Sequence, residues 1–490
     1  MERIRFETLG CKLNQIETES LAHAFSAEGY RVVGAESADT SDGGNEVEET
    51  PETAPLRAQR PSASGSFPFA FKPVEQPVLC VVNTCTVTGK AEQKARRLIR
   101  NLLTEHPRAP VLVTGCYAEV EAEAIAAIGD RVLVFPGSRK GELASLPRWI
   151  AEYRLLRPEA SMLDAVSEFC LQGKGANATG ANPPAAAGTA AFRLATDDFL
   201  FHSRASVKIQ DGCNNHCTYC RIRLARGKAV SLPADEVIAQ IRRIEEAGWS
   251  EAVLTGVNLS QYRDGSKDFA DLLYRILAET ESVALRISSL YPERVDEAIL
   301  EALAHDRVRP HFHLSVQSGS ERILRAMRRP YDAETVYRAA ERLRTAKKDP
   351  FLACDIIAGF PGETESDFED TWRLCRDLAF AGIHAFPFSA RPGTEAWAMR
   401  PKVPERVARE RVARLTELAT AGREAYERSW EGKTVRAIVE RGTENGMERA
   451  LTENYLSVLI PATGLTAGTE TLVRLSGHGR ALPVGIPGNR

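Results

Sequence analysis

Strand and helix patterns alternate through most of this chain, and each of its first three strand candidates runs straight into a cysteine. That pairing constrains the fold more than any other feature. Short apolar strands alternating with amphipathic helices imply parallel sheets with helices on their faces. Ligands of such sheets gather at the carboxyl ends of the strands. The early strand candidates are 4–8, 78–82, 111–114 and 132–135, with helices between them at 91–103 and 118–128. Leu9-Gly10-Cys11, Asn83-Thr84-Cys85 and Thr114-Gly115-Cys116 follow the first three strands. Three cysteines distant in sequence are therefore expected to converge in one crevice, as ligands of a metal cluster. Cys80, Cys170, Cys354 and Cys375 lie in apolar or helical contexts and read as small core residues.

The alternation resumes over 192–400, with strand candidates at 206–210, 252–255, 285–288, 312–316, 353–357 and 384–388. The segment 233–247 illustrates the helices: Pro233 suits a first turn, Gly248 a C-terminal cap, and Val237, Ile241 and Ile244 form one apolar face. Six such units imply an incomplete parallel barrel, whose chemistry belongs at the strands' carboxyl ends. There the run Gly212-Cys213-Asn214-Asn215-His216-Cys217-Thr218-Tyr219-Cys220 places three thiols in one tight loop. Four thiolates close an iron–sulfur cluster; three leave one iron open to a small molecule. Zinc is the second reading, but zinc sites usually pair Cys-x2-Cys with further ligands downstream, and no second knuckle follows.

Beyond 432 the pattern changes to short strands at 434–440, 449–452, 456–460 and 471–476, as in a small β-barrel. A charged helix over 404–430 precedes them. The expected organisation of this α/β chain is an N-terminal parallel α/β sheet domain over 1–150, interrupted by a flexible insertion at 36–76. A linker at 171–191, the partial barrel at 192–400, a connecting helix at 401–430 and the small barrel at 431–490 follow. The insertion and linker are poor in large apolar residues and cannot offset their ordering entropy by burial. With 490 residues and a formal net charge of -3, the chain has no global basic field, so a nucleic acid would meet a local basic surface. The N-terminus lacks an apolar signal region, and no stretch reaches membrane-span length. A cytoplasmic protein with no membrane partner is expected, and in that reducing setting ten cysteines point to metal ligation.

The motifs also carry a family resemblance. Thr-Leu-Gly-Cys-Lys-Leu-Asn-Gln at 8–15, Asn-Thr-Cys-Thr-Val-Thr at 83–88, Thr-Gly-Cys-Tyr-Ala-Glu at 114–119 and Gly-Cys-Asn-Asn-His-Cys-Thr-Tyr-Cys at 212–220 occur in order. Together they resemble the radical S-adenosylmethionine (SAM) methylthiotransferases along nearly the whole ordered chain. That family has a three-cysteine N-terminal domain, a radical SAM partial barrel and a small C-terminal barrel called TRAM. Leu-Thr-Gly-Val-Asn at 254–258, Arg-Ile-Ser-Ser-Leu at 286–290, His-Leu-Ser-Val-Gln-Ser-Gly-Ser at 313–320, Phe-Ser-Ala-Arg-Pro-Gly-Thr at 388–394 and Ala225-Arg226-Gly227 look like the branch acting on N6-threonylcarbamoyladenosine in tRNA. One departure is Leu224, which stands where the family usually has proline.

The resemblance implies two [4Fe–4S] clusters. Cys213, Cys217 and Cys220 would hold the one whose open iron chelates SAM. Cleavage of SAM would give a 5′-deoxyadenosyl radical that removes hydrogen from C2 of the adenine. Cys11, Cys85 and Cys116 would hold an auxiliary cluster presenting a methylated sulfur to the substrate radical. These six cysteines are the expected catalytic and metal-binding residues, and both sets must face one cavity. Tyr219, Thr255, Gly256, Asn258, Ser315 and Gln317 are the candidates for SAM contacts. Arg223 and Arg226, beside the radical site, are the candidates for RNA. The loop at 359–363 reads as a βα loop near SAM. Partners implied are a tRNA anticodon stem-loop, an electron donor of flavodoxin or ferredoxin type and a sulfur source. Alternatives are methylthiolation of isopentenyl-adenosine or of a ribosomal protein, or a non-catalytic iron–sulfur redox or RNA-binding role.

Overall fold

The protein is described from a computed structural model over residues 1–34, 76–172 and 191–485. All of the proposed insertion but Gln76, and all but the ends of the proposed linker, lie outside the described residues. The first domain is a five-stranded parallel sheet of β1 (Arg3–Thr8), β2 (Arg31–Gly34), β3 (Leu79–Thr84), β4 (Val111–Gly115) and β5 (Val132–Val134), in the order β2-β1-β3-β4-β5. β3 and β4 are buried throughout, as central strands covered on both faces must be. Helix Gly89–Glu105 buries Ala95, Ile99 and Leu102 along one stripe. Two helices that reach past the expected boundary at 150 pack on the opposite face. Leu146–Leu156 runs through that residue, and Met162–Leu171 adds Ala165, Val166 and Phe169 to a core shared with Phe6 and Phe25. The helix expected at 118–128 is instead two short ones, Cys116–Val120 and Ala122–Ala126.

The central domain holds six parallel strands: β6 (Ala205–Lys208), β9 (Glu251–Thr255), β10 (Ala284–Ile287), β11 (His311–Gln317), β12 (Phe351–Ala358) and β13 (Gly382–Pro387). A two-residue hairpin, β7 (Gln210–Asp211) with β8 (Val230–Ser231), brackets the cysteine loop. The strands form two parallel triplets, β6-β9-β10 and β11-β12-β13, linked along the backbone by the bridges Leu285–Val308 and Leu290–Leu314. Helix Ala234–Glu246 buries Val237, Ile238, Ile241 and Ile244 against this sheet, the stripe that its spacing implies.

Helix Glu405–Trp430 leads to a closed barrel of β14 (Thr434–Glu444), β15 (Met447–Thr452), β16 (Ser457–Pro461), β17 (Glu470–Gly477) and β18 (Arg480–Gly485). This barrel seats on the amino ends of the central strands. Glu251, at the start of β9, accepts hydrogen bonds from Arg286 (2.7 and 2.9 Å) and Arg309 (2.9 Å). The same arginines reach the Thr452 carbonyl (3.2 Å) and the Glu470 carboxylate. His311, opening β11, stacks on Tyr455 at 3.7 Å between ring centroids. Among the described residues, no helix is long and apolar enough to cross a membrane.

Candidate functional site

The carboxyl ends of β3 and β4, and the residues after β1, deliver Cys85, Cys116 and Cys11. Gly115 explains how β4 can end so abruptly. Its φ of +96° and ψ of -167° fall in a region essentially reserved for glycine. A Cβ there would lie 2.5 Å from the Thr84 carbonyl oxygen and 2.7 Å from its nitrogen. Gly10 plays the same part before Cys11: with φ +119°, an added Cβ would lie 2.7 Å from Cys85 Cβ and 3.2 Å from its Sγ. The close approach of these glycines to neighbouring strands brings the first three cysteines together. Asn14 ties the loops by donating to the carbonyls of Leu9 (2.9 Å) and Thr84 (3.0 Å).

The loop between β7 and β8 carries Cys213, Cys217 and Cys220. Gln210, fully buried, braces it by donating to the carbonyls of Asp211 and Gly212 (both 2.8 Å) and accepting from the Asn258 amide (2.8 Å). Glu92 links the two cysteine sets across the domain junction. Its carboxylate accepts from Thr86 (2.6 Å), next to Cys85, from Arg221 (3.3 Å), next to Cys220, and from Arg391. The Gly89 amide adds a hydrogen bond to Ser389 Oγ (3.0 Å).

Beside the second set lies a cavity of about 290 Å³, close to the lower end of the roughly 300–1,000 Å³ typical of small-molecule sites. Cys11, Cys85 and Cys116, expected to face the same cavity, are not in its wall, which the first domain reaches only with the loop after Cys85. Its wall includes Cys213, Cys217 and Cys220 from the barrel and Val87 and Thr88 from the loop after Cys85. Tyr219, Tyr291, Phe386 and Phe388 give it an aromatic lining, and Gln317, Arg329 and Asp355 give it polar groups. Asp355 is paired with His313 (3.2 Å). Gln317, in the left-handed region at φ +68°, reaches this lining from the end of β11.

The donor set fits iron–sulfur chemistry. Burial pushes the thiols of Cys85 and Cys220 up to about 12, so neither would ionise near neutrality without a bound cation. Yet the surroundings are arranged for anionic sulfur. Cys85, Cys213 and Cys220 each face the amide N–H two residues on, at 3.5, 3.4 and 3.5 Å. Arg226 Nε lies 3.1 Å from Cys116 Sγ, and Arg329 Nη1 3.3 Å from Cys217 Sγ. Among the described residues, no three His, Cys, Asp or Glu side chains are placed to hold a single metal ion. A cluster several ångströms across takes a wider set.

Other candidates from the sequence fall differently. Arg223 lines the cavity beside His216 (2.6 Å). Arg226 does not offer itself to RNA: its side chain is 3% exposed. Its donors reach Asn14 (2.7 Å), Glu17 (3.1 Å), Asp211 (3.1 Å) and Cys116. Thr255, Gly256, Asn258 and Ser315 stand behind the cavity wall rather than in it. Thr255 is buried, with its carbonyl accepting from Ile209 (3.0 Å). Gly256 makes room for Gln210, Asn258 caps Ser260 (3.1 Å), and the Ser315 carbonyl accepts from Arg329 (3.0 Å).

Arg329, at the end of the basic run 322–329, is buried and flanked by Tyr291 (4.5 Å) and Tyr331 (4.9 Å). Sequence reasoning missed Glu17 and Lys140. Glu17 is 1% exposed and pairs with Lys140 (2.5 Å), Lys208 (3.0 Å) and Arg226. Asp211 pairs with Lys208 (2.5 Å) and Arg226. Burial alone would raise the Glu17 carboxyl, but Arg226, Lys140 and Lys208 hold it well below the usual range. Three cations thus meet two carboxylates, leaving one excess positive charge beside Cys116. Burial raises that thiol, and Arg226 and Lys140 pull it back.

Comparison with known proteins gives the family. The Radical SAM superfamily model matches residues 207–375, and the model described as Uncharacterized protein family UPF0004 matches residues 70–136. The chain is 46% identical to threonylcarbamoyladenosine tRNA methylthiotransferase MtaB of Treponema pallidum, over 98% of each chain. It is 32% identical to the Aquifex aeolicus protein of the same name, covering 93% of this chain and 96% of that one. A tRNA-2-methylthio-N(6)-dimethylallyladenosine synthase of Methylococcus capsulatus is 34% identical, over 72% of this chain and 74% of its own.

Proposed function

Because this chain belongs to the radical SAM methylthiotransferase family, we propose that it inserts a methylthio group at C2 of N6-threonylcarbamoyladenosine, on the 3′ side of a tRNA anticodon. It is an enzyme that transfers sulfur-containing groups, and its superfamily works with a [4Fe–4S] cluster and SAM. The names of its full-length relatives support the choice of adenosine. The observation that carries the two-centre reading is the cavity walled both by Cys213, Cys217 and Cys220 and by the loop after Cys85.

In this reading Cys213, Cys217 and Cys220 hold the cluster that engages SAM, and Cys11, Cys85 and Cys116 hold an auxiliary one. When bound, the first cluster and SAM supply a 5′-deoxyadenosyl radical able to take hydrogen from an unactivated carbon. The protein's own groups do the positioning. Arg329, clamped by its tyrosines, directs an N–H at Cys217. Glu92 ties the two cysteine loops together by accepting from Thr86 and Arg221, and so would fix the separation of the two clusters those loops would hold. Tyr219, Phe386 and Phe388 line the space with rings that exclude water and can stack on a nucleobase. Arg223 is placed for a phosphate, a contact that salt would weaken. The reaction also requires an electron donor, for which a flavodoxin or ferredoxin is proposed, and a source of sulfur.

Nucleoside mass spectrometry of tRNA from cells with and without the protein tests the substrate. Loss of 2-methylthio-N6-threonylcarbamoyladenosine with build-up of its unthiolated precursor is expected. Loss of the isopentenyl counterpart instead would move the enzyme to another substrate, and no change in either nucleoside would overturn a tRNA function.

A further inference from the structure

We propose that Arg226 is a positioning residue that sets the reduction potential of the auxiliary centre by donating a charged N–H to Cys116. This rests on the reading of Cys11, Cys85 and Cys116 as ligands. Arg226 ends helix Ile222–Arg226 of the barrel, six residues after Cys220, yet its Nε reaches 3.1 Å from the sulfur of Cys116 in the other domain. One loop thus supplies three thiols to one centre and a guanidinium to the other. The guanidinium is planar; its Nη1 donates to Glu17 and Asp211 and its Nη2 to Asn14, which fix the plane in which Nε points. Hydrogen bonds to cluster sulfurs and nearby charge set the potentials of iron–sulfur centres. A cationic donor stabilises the reduced, more negative state. Asp211 pairs with Nη1 of Arg226 (3.1 Å), not with the Nε that faces that sulfur, and offsets part of its charge.

The two residues must therefore act with opposite sign. Removing the guanidinium lowers the auxiliary potential, and neutralising Asp211 raises it. A purely structural role for Arg226 gives no such pairing.

The test uses the full chain with Cys213, Cys217 and Cys220 all changed to alanine, so that only the auxiliary centre remains. It is reconstituted anaerobically with iron and sulfide, assayed for iron, and titrated by EPR-monitored reduction. In that background Arg226→Gln is expected to shift the midpoint to more negative values and Asp211→Asn to more positive ones. Arg226→Lys, which keeps the charge but not the fork, should fall between Gln and the unaltered arginine. If Arg226→Gln fails to load iron, the Asp211→Asn shift decides: a positive shift supports the proposal and an unmoved midpoint overturns it. Midpoints that do not move, or that move together, overturn it while leaving the auxiliary centre standing. A parent without iron would remove the auxiliary-cluster reading itself, and the proposal with it.

Discussion

Replacing Gly115 by alanine separates the two cysteine sets with one methyl group. The backbone there, at φ +96° and ψ -167°, costs a non-glycine residue about 1–3 kcal/mol. The new Cβ would also meet the Thr84 backbone at 2.5 and 2.7 Å. Thr84 cannot retreat, because it is paired in register with Gly115 in adjacent buried strands. Overpacking of this kind adds about 1–3 kcal/mol, for a total of about 2–6 kcal/mol. The cheapest relaxation is to give up the turn that presents Cys116. The substituted protein should fold and cleave SAM to 5′-deoxyadenosine but retain about half the iron of the parent after anaerobic reconstitution. Methylthio transfer should be lost. Gly248→Ala is the control: its φ is +84°, but nothing lies within 4 Å of the added atom. It should cost about 1 kcal/mol in urea unfolding and keep all its iron. Full iron and transfer in Gly115→Ala would refute the idea that this backbone position places Cys116.

Three further outcomes are expected. Cys11→Ala, Cys85→Ala and Cys116→Ala should each abolish transfer while leaving reductive SAM cleavage measurable by chromatography. Arg329→Met removes a charge-assisted donor to Cys217, an interaction of about 1.5–3 kcal/mol, and should slow 5′-deoxyadenosine formation at least roughly tenfold without lowering the amount of folded protein. Glu251, buried between Arg286 and Arg309, should give a pH signature. Burial opposes its charge, but the arginines win and bring the carboxyl down to about 2 from the ordinary 4.5. At about 1.36 kcal/mol per pH unit that contributes about 3 kcal/mol. The contribution is complete above pH 4.5 and is lost as pH falls toward 2. Urea unfolding of the cluster-free protein should show this slope, and Glu251→Gln should abolish it while lowering stability at neutral pH.

The βα alternation and the position of cysteines after strands were legible because both are local. Periodicity and turn residues specify them within a dozen positions. β2 escaped because Arg31–Gly34 is a half-exposed edge strand with little apolar alternation. β18 escaped because Arg480–Gly485 combines one buried alanine with an arginine and a proline. Boundary 150 fell short because the helices beyond it are recognisable only by the distant core they cover. Arg226 was misread for a related reason. Arg226 and Arg329 sit in basic runs that look like solvent-facing charge, and their partners, Glu17, Asp211, Tyr291 and Tyr331, lie in other elements. Nothing in a linear pattern announces that a guanidinium will be surrounded by acceptors from four places in the chain.

The C-terminal barrel and the cavity occupy opposite ends of the same strands: Phe351 of β12 packs on the barrel, while Ile357 of that strand lines the cavity. The eight residues of β12 span roughly 25 Å. The strands therefore act as a ruler. An RNA that engages both ends at once must bridge that gap along the outside of the protein, whereas a free nucleoside or a minimal loop meets only one. For such an RNA, recognition of a base and recognition of the molecule bearing it would be separable, the first read at a point and the second by length.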